Sequence, residues 1–363
     1  MTTRILLLLT ILLLAFTTKA QYVSLNPQEL QQLKSLIKTD VQVKKLYASI
    51  QHTAEQALFE TPNPIDTIRT EGLLKGHPKK TATAAALKDM PKMYALALTY
   101  RVSNDNRYLE KAIDYLKAWA AHNTPNGDPI DDTNLDDAIE AYDLIKEKLN
   151  ADDITLISGW LKKTAETEIT SKYNSPKRST SYNNWHSHRL KIIGEIAYAI
   201  NNEQLQQYTI NELKTQLERN LNPDGSSIDF KLRDALHYHV YDLEPLLELA
   251  IVLKRATGVN YYTWQSPTGS SIEKSVNWLL PYLNGQKTHQ EYVNTTVKFD
   301  IARAKNNEAG HEIGALFEPR KGTTVLLLAS YFNDHLQQVA NNLLQTTAHY
   351  PKWQTVLNEI MNR

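Results

Sequence analysis

The chain contains no cysteine in its 363 residues. Disulfide bonds are therefore excluded, and a buried core must stabilise the fold. A lipid anchor is excluded as well, because it would need a cysteine behind an export signal. Metal sites would have to do without thiolate ligands.

The glycine motifs of several kinds of enzyme are also missing. Neither the nucleotide-binding pattern G-x-G-x-x-G nor the loop G-x-x-x-x-G-K-[ST] occurs, so no nucleotide cofactor is indicated. There is no G-x-S-x-G elbow of a serine hydrolase and no H-E-x-x-H zinc motif. The pairs His186/His188 and His237/His239 would diverge by about 200° on a helix. We therefore expect neither a metal nor a cofactor.

Long apolar runs are confined to the first twenty residues. Residues 5–16 are largely apolar, Arg4 precedes them, and a small-residue site ends at Ala20. This order is typical of a secretory signal peptide, and about a dozen residues are too few for an ordinary membrane span. We expect residues 1–20 to be removed and residues 21–363 to form one exported domain, periplasmic or extracellular. We also expect a monomer.

An excess of charge of one sign is missing too. The whole chain has 40 basic and 40 acidic residues, and removal of Arg4 and Lys19 leaves 38 basic residues. A nearly neutral protein has no general attraction for nucleic acid or membranes, so we expect neither as a partner. A polyanionic ligand would need a local basic cleft.

Helical periodicity is what the mature chain does show, and strand-like alternation is rare. The predicted helices are 84–101, 107–121, 134–149, 153–172, 188–201, 203–220, 231–256, 271–284, 335–348 and 351–361. Residues 291–302 and 323–330 fit either a strand or a helix. Short loops join the helices into hairpins without an exact repeat, so we predict an all-α fold, a single incomplete α/α toroid with a central cleft, rather than a solenoid.

Two polar clusters interrupt the apolar pattern. The first, "NNWHSHRL", holds Asn183, Asn184, His186 and His188 at the start of a predicted helix. In the second, "RDALHYHVYDLEP", the residues Arg233, His237 and Tyr241 are spaced by four and would share one helix face, bordered by Tyr238 and followed by His239. Either cluster alone is typical of a helix cap or a packing layer. Their occurrence together favours a functional site.

These clusters resemble motifs of the alginate lyase superfamily, the α/α-toroid polysaccharide lyases, and in particular those of polysaccharide lyase family 5. The segments "IRTEGLLKG", "KMYALALTYRVSNDNRYLEKAIDYLKAWA", "NGDPIDDTNLDDAIEAYDLI" and "VNTTVKFDIAR" are similar to the same family. The likeness covers roughly residues 45–320. Two positions depart from the family pattern. Trp185 separates Asn184 from His186, and Asp234 stands seven residues before Tyr241, where the family has an arginine.

The resemblance implies a lyase that cleaves a uronic-acid polymer, mannuronate-rich alginate in the first place, by β-elimination to a 4,5-unsaturated uronate. Abstraction of the C5 proton builds charge on the neighbouring carboxylate, and donors aimed there stabilise the transition state. Asn184, His186 and Arg233 have that donor character. Tyr241 is the expected acid/base, with its pKa lowered by Arg233 and His237, and Tyr238 is the second choice. His186 is an alternative base for the opposite sugar face.

The anionic polysaccharide is the expected partner, and a second set of residues is expected to bind it. These substrate-binding candidates are Asn183, His188, His237, Tyr238, His239, Arg69, Lys79 and Lys80. The last three belong to a basic loop, residues 69–83, that could fold over the cleft.

Other functions remain open at this point. The chain could cleave another uronan such as glucuronan, or bind polysaccharide without cleaving it. A glycoside hydrolase would need two carboxylates flanking the scissile bond. Asp128, Asp131 and Asp132 are candidates for these, although cap and turn roles suit them better.

Overall fold

The computed structural model describes residues 23–344 and 349–362. The predicted signal peptide lies outside them, as does the end of the predicted helix 335–348. The described part of the chain folds into seventeen α-helices joined by loops and short 3₁₀ turns. They are α1 (Pro27–Thr39), α2 (Val41–Ala57), α3 (Pro78–Ala86), α4 (Asp89–Ser103), α5 (Asn106–His122), α6 (Pro129–Asp132), α7 (Asp136–Ile145), α8 (Ala151–Thr170), α9 (Asn184–Ala199), α10 (Glu203–Asn220), α11 (Ile228–Arg233), α12 (Leu236–Thr257), α13 (Ile272–Leu283), α14 (Lys298–Lys305), α15 (Thr323–Ala329), α16 (His335–Leu343) and α17 (His349–Met361).

Two predicted helices are each divided in two. The helix predicted over 84–101 belongs to α3 and α4, with a break between Ala86 and Asp89. The helix predicted over 231–256 is interrupted at Asp234, whose φ of 48° is left-handed and ends α11. Both ambiguous runs are helical in part, as α14 and α15, and residues 23–344 and 349–362 contain no β-strand beyond isolated bridges.

The helices pack as a ring of hairpins, the predicted α/α toroid. Along the inner wall α2 contacts α4, α4 contacts α7, α7 contacts α9, α9 contacts α12, and α12 contacts α15. Helices α5, α8, α10, α13 and α16 pack outside them. The C-terminal helix α17 contacts both α15 and α2, so it occupies the gap between the two ends of the ring. One continuous apolar core runs through this arrangement.

The helices α9 and α12 are central, since nearly every residue of α9 and most residues of α12 are buried. Both helices contribute buried aliphatic residues to the core, among them Leu190, Ile193 and Leu246. At Gly194 a β-carbon would collide with Leu249 of α12, so glycine is what permits the close approach of the two helices. This close packing fixes the polar residues near the start of α9 relative to those near the start of α12. Within the part of the chain that the structure describes, no helix is long and apolar enough to cross a membrane.

Candidate active site

A polar cleft of about 490 Å³ lies between the N-terminal halves of α7, α9 and α12. The loop before α3 and the helix α14 supply its other walls. Since all three inner helices contribute residues from their N-terminal parts, they run in the same direction around the cleft. We call the side nearest the N-termini of α9 and α12 the mouth.

His188 of α9 and Tyr241 of α12 meet in this cleft. Their ring centroids are 4.3 Å apart, with a tilt of 41°. His188 Nδ1 lies 3.0 Å from Thr133 Oγ1, and Nε2 is buried without a hydrogen bond of good geometry. Pro245 has no N–H for the carbonyl of Tyr241, four residues earlier, so this carbonyl is left facing His188. Two central helices thus hold an imidazole against a phenol.

The surroundings keep both groups uncharged near neutral pH. Burial, followed by the charge of Lys191, holds the pKa of His188 well below its usual value, and the Tyr241 backbone opposes this shift. Burial, followed by the charge of Glu71, raises the pKa of Tyr241. The sequence-based expectation that Arg233 and His237 would lower the pKa of this tyrosine is wrong. The phenol is a proton donor, and the imidazole is a proton acceptor.

Cationic side chains stand at the mouth of the cleft. Lys80 donates one hydrogen bond to the carbonyl of Leu73, at 2.9 Å, and has two further donors. Arg303 donates from Nη1 to the hydroxyl of Tyr238 at 3.2 Å, and its Nε lies 3.3 Å from a carboxylate oxygen of Glu308. Both line the cleft and can bind a sugar carboxylate.

The deep end of the cleft is acidic. Asp136, Asp137, Glu244 and Glu248 line it, with Lys191 paired to Asp136 and, at 3.3 Å, to Glu248. Burial, followed by the charge of Glu248, raises the pKa of Glu244 to about 8. Burial, followed by the charge of Asp136, raises that of Asp137 to about 7. A second cavity of about 90 Å³ continues beyond them, between these carboxylates and apolar side chains of α12, α15 and α17.

Three of the four predicted catalytic residues do not line the cleft. The amide of Asn184 is bound to the buried carboxylate of Asp229. His186 points away, 3.7 Å from Glu212, because residues two apart diverge on a helix. Arg233 ends α11, separated from α12 by the turn at Asp234, and its Nη2 donates to Tyr238 at 2.5 Å while its guanidinium pairs with Asp300. Only Tyr241 of this set faces the cleft.

The predicted substrate-binding residues divide similarly. Lys80 and His188 line the cleft, whereas six others do not. Asn183 caps α9, and His239 is fully buried between Ser227 and the carbonyl of Ser275. The remaining four are His237, stacked 6.3 Å from Tyr241, the buried Tyr238, the exposed Lys79, and Arg69.

The acidic residues considered for a glycoside hydrolase site also lie outside the cleft lining. Asp128 caps α6, and Asp131 accepts hydrogen bonds from the backbone and hydroxyl of Thr70. Asp132 is buried, and the neighbouring Glu168 contributes to raising its pKa after burial itself. These contacts agree with cap and turn roles.

Several residues of the cleft were not among the sequence-based candidates. Thr133 and Asn134 lie within "NGDPIDDTNLDD", Glu71 within "IRTEGLLKG" and Arg303 within "VNTTVKFDIAR". All four lie in segments that resemble the family, and this resemblance was the sequence signal that could have identified them. Among residues 23–344 and 349–362, no three histidine or acidic side chains are grouped so as to hold a metal ion.

Solved structures resemble this fold at low sequence identity. An alginate lyase from Bacteroides ovatus matches with a TM-score of 0.69 and 17% identity, over 93% of this chain and 98% of that chain. Alginate lyase A1-III from Sphingomonas species A1 matches with a TM-score of 0.55 and 16% identity, over 84% and 95%. A histidine-to-alanine variant of alginate lyase A1-III complexed with tetrasaccharide matches with a TM-score of 0.57 and 15% identity, over 84% and 93%. No curated protein sequence matches the chain.

The ring of helical hairpins around a polar cleft has the architecture of the α/α-toroid polysaccharide lyases. The sequence profile described as "Alginate lyase" matches residues 19–289, which is most of the chain. The chain therefore belongs to the alginate lyase family and is a polysaccharide lyase. The predicted family, fold and enzyme class are confirmed.

Proposed function

We propose that the protein cleaves alginate, with a preference for mannuronate, by a β-elimination in which His188 is the base and Tyr241 is the acid. The observation that carries the proposal is the contact between these two rings inside a cleft whose mouth holds Arg303 and Lys80. A uronate bound there would place its carboxylate on the cations and its C4–C5 bond beside the two rings. Donors that meet the developing charge stabilise the transition state.

The protonation states of His188 and Tyr241 indicate which of them removes the C5 proton and which protonates the leaving oxygen. With Nδ1–H donated to Thr133, neutral His188 carries a lone pair on Nε2 and takes the C5 proton. The C4–O bond breaks, the C4–C5 double bond forms, and the Tyr241 hydroxyl protonates the leaving oxygen. Transfer of the imidazolium proton to the tyrosinate then restores both groups.

The packing of the two rings supports the mannuronate preference. Because His188 and Tyr241 touch, both approach the sugar from the same side. In mannuronate the C5 proton and the C4 oxygen are on one face of the ring, whereas in its C5 epimer guluronate they are on opposite faces. Glucuronate differs from mannuronate only at C2, so glucuronan is the second candidate substrate.

The test is incubation of the purified protein with polymannuronate, polyguluronate and glucuronan, followed by ultraviolet absorbance of unsaturated ends. Polymannuronate should give the highest rate and polyguluronate little. Absence of unsaturated ends on every uronan, together with binding, would favour a polysaccharide-binding protein instead. Saturated products would indicate hydrolysis.

Tyr241→Phe should lower kcat by about 10²- to 10⁴-fold, the usual contribution of a positioned acid or base. Tyr262→Phe is the matched control, since its hydroxyl is buried without a hydrogen-bond partner and lies outside the cleft. Tyr238→Phe tests the other tyrosine and should retain kcat while raising KM, because its hydroxyl holds Arg303. Full activity of Tyr241→Phe would remove Tyr241 from its role.

We further propose that the protein is exported by its first twenty residues and acts as a monomer. The order of charged, apolar and small residues there supports export. N-terminal sequencing of the protein from periplasm and medium should find Gln21 first, and size-exclusion chromatography should give the monomer mass.

A further inference from the structure

Toward the centre of the ring, the described residues that line the cleft offer a bound polyuronate no free cation. The deep end of the cleft is lined by Asp136, Asp137 and Glu248, and Lys191 is already paired with two carboxylates. A second cavity of about 90 Å³ adjoins these carboxylates and is walled by α15 and α17. A uronate carboxylate placed there would be buried without a cationic partner, because Lys191 is already paired, and burying an unpaired charge is costly. We therefore expect a polyuronate longer than the cleft to leave across the rim of the mouth.

One segment of this rim is unusually basic. Residues 171–185 contain Lys172, Lys177 and Arg178 and no acidic residue, although the chain as a whole is balanced in charge. All three cations are exposed. The segment connects the end of α8 to the start of α9, and His188 lies one turn further along.

Hydrogen bonds place the segment beside the wall of the cleft. Ser171 donates to the carbonyl of Gly127 at 2.5 Å, and Gly127 lies three residues before Ile130, which lines the cleft. Arg189 of α9 donates to the carbonyl of Thr180 at 3.1 Å. The segment therefore lies on the mouth side of the cleft, where α9 begins.

The same segment presents aromatic rings next to its cations. The rings of Tyr173 and Trp185 are 5.3 Å apart and both are partly exposed. The ammonium of Lys172 and the guanidinium of Arg178 lie 5.0 and 5.4 Å from the centre of the Tyr173 ring. Such rings offer apolar faces for the C–H groups of a sugar, and the cations beside them offer partners for its carboxylates.

We propose that residues 172–185 form an accessory subsite for the anionic polysaccharide, where Tyr173 and Trp185 contact sugar rings and Lys177 and Arg178 contact uronate carboxylates. The identity of the ligand rests on the proposed function, whereas the binding test does not require the protein to cleave the polymer. It binds the part of a long chain that lies outside the cleft, so it acts on polymers and not on short oligomers.

The test compares two variants that each remove two adjacent exposed cations. They are Lys177→Ala/Arg178→Ala and, as the matched control at the start of α2, Lys44→Ala/Lys45→Ala. Electrophoresis through gels with and without polymannuronate measures binding at equal net charge. The polymer should retard the wild type and the control equally, and the Lys177/Arg178 variant less. Equal retardation of all three would overturn the proposal.

Kinetics on two chain lengths separates the subsite from the cleft. The Lys177/Arg178 variant should raise KM for the long polymer about three- to tenfold, as expected for two exposed ionic contacts, with kcat unchanged. Its KM for a tetrasaccharide should stay at the wild-type value. An equal rise of KM on the tetrasaccharide would place these residues in the cleft and refute an accessory subsite.

Salt separates the rings from the charges. At about 0.5 M salt the ionic contacts are largely screened, so the effect of the Lys177/Arg178 variant should fade while that of Tyr173→Ala on polymer KM persists. Loss of both effects at high salt would exclude ring stacking. If no uronan gives unsaturated ends, the proposed reaction fails, and the gel assay still decides whether the subsite exists.

Discussion

At the scale of single residues, the site depends on which of two neighbouring histidines reaches the cleft. His186 and His188 are both buried at the start of α9. The first lies beside Glu212, and the second lies against Tyr241. The difference of two residues turns the side chain by about 200° on the helix, so only one of them can touch the substrate.

The two histidines therefore provide a matched pair of substitutions. His188→Gln should lower kcat by about 10²- to 10⁴-fold, because the amide cannot accept the C5 proton. His186→Gln should leave kcat within about twofold, since the amide can still reach Glu212. Rates from the ultraviolet assay, with circular dichroism spectra to verify folding, decide the outcome. The reverse order of effects would restore His186 to the catalytic role.

The dependence of the rate on pH tests the assignment of acid and base. The lowered pKa of His188 and the raised pKa of Tyr241 leave both groups uncharged over a wide range. We expect kcat to be flat between about pH 6 and pH 9. A rate that rises tenfold per pH unit across this range would mean that tyrosinate is the base.

At the scale of elements, the break between α11 and α12 decides which side chains face the cleft. Asp234 adopts φ 48° and ψ 49°, and its carboxylate accepts hydrogen bonds from the backbone and side chain of Asn294 at 2.8 and 2.9 Å. Its carbonyl accepts from Tyr292 N at 2.6 Å. This turn directs Arg233 to Asp300 and ties the segment before α14 to the start of α12.

Asp234→Ala should destabilise the protein by about 1–3 kcal/mol, because alanine tolerates the left-handed conformation less well and the bonds to Asn294 are lost. Asp234→Asn is the control, since asparagine suits this conformation and keeps an acceptor. Urea unfolding monitored by circular dichroism measures both. Equal stability of the alanine variant and the wild type would show that the turn does not depend on this side chain.

At the scale of the whole molecule, the carboxylates at the centre of the ring link stability to pH. Burial raises the pKa values of Glu140 and Glu195 well above the usual value, and those of Asp137 and Glu244 to about 7 and about 8. The folded state therefore holds protons that the unfolded chain releases near pH 4. The contribution of these carboxyl groups to stability therefore falls as pH rises from about 4 to about 8, because the unfolded state binds fewer protons at them there.

We therefore expect Tm to decrease between about pH 7 and pH 8 in thermal unfolding, above the range in which the buried histidines, whose pKa values are lowered, add the opposite dependence. Glu140→Gln should raise Tm by a few degrees at pH 8 and change it little at pH 5, since the amide replaces a protonated carboxyl. Glu166→Gln, on the exposed surface of α8, serves as the control and should not alter the slope. A Tm that rises steadily over this range would contradict the shifts.

The sequence by itself determined the family and the all-helical fold, and its candidates included three residues that line the cleft, Tyr241, His188 and Lys80. Apolar spacing and the quoted motifs are local properties of the chain, and they survive in the folded state. The candidates Asn184, His186 and Arg233 show the limit of this information, because spacing alone does not say which side of a helix will face a cleft.

Tertiary structure alone decided those orientations. The left-handed turn at Asp234 breaks a periodicity that reads as continuous, and the packing of α9 against α12 selects His188 over His186. Arg303 reaches the cleft from a helix more than sixty residues beyond Tyr241 in the chain, and the carboxylates gather only when the ring closes. Each of these depends on contacts between distant segments, which a pattern of neighbouring residues does not contain.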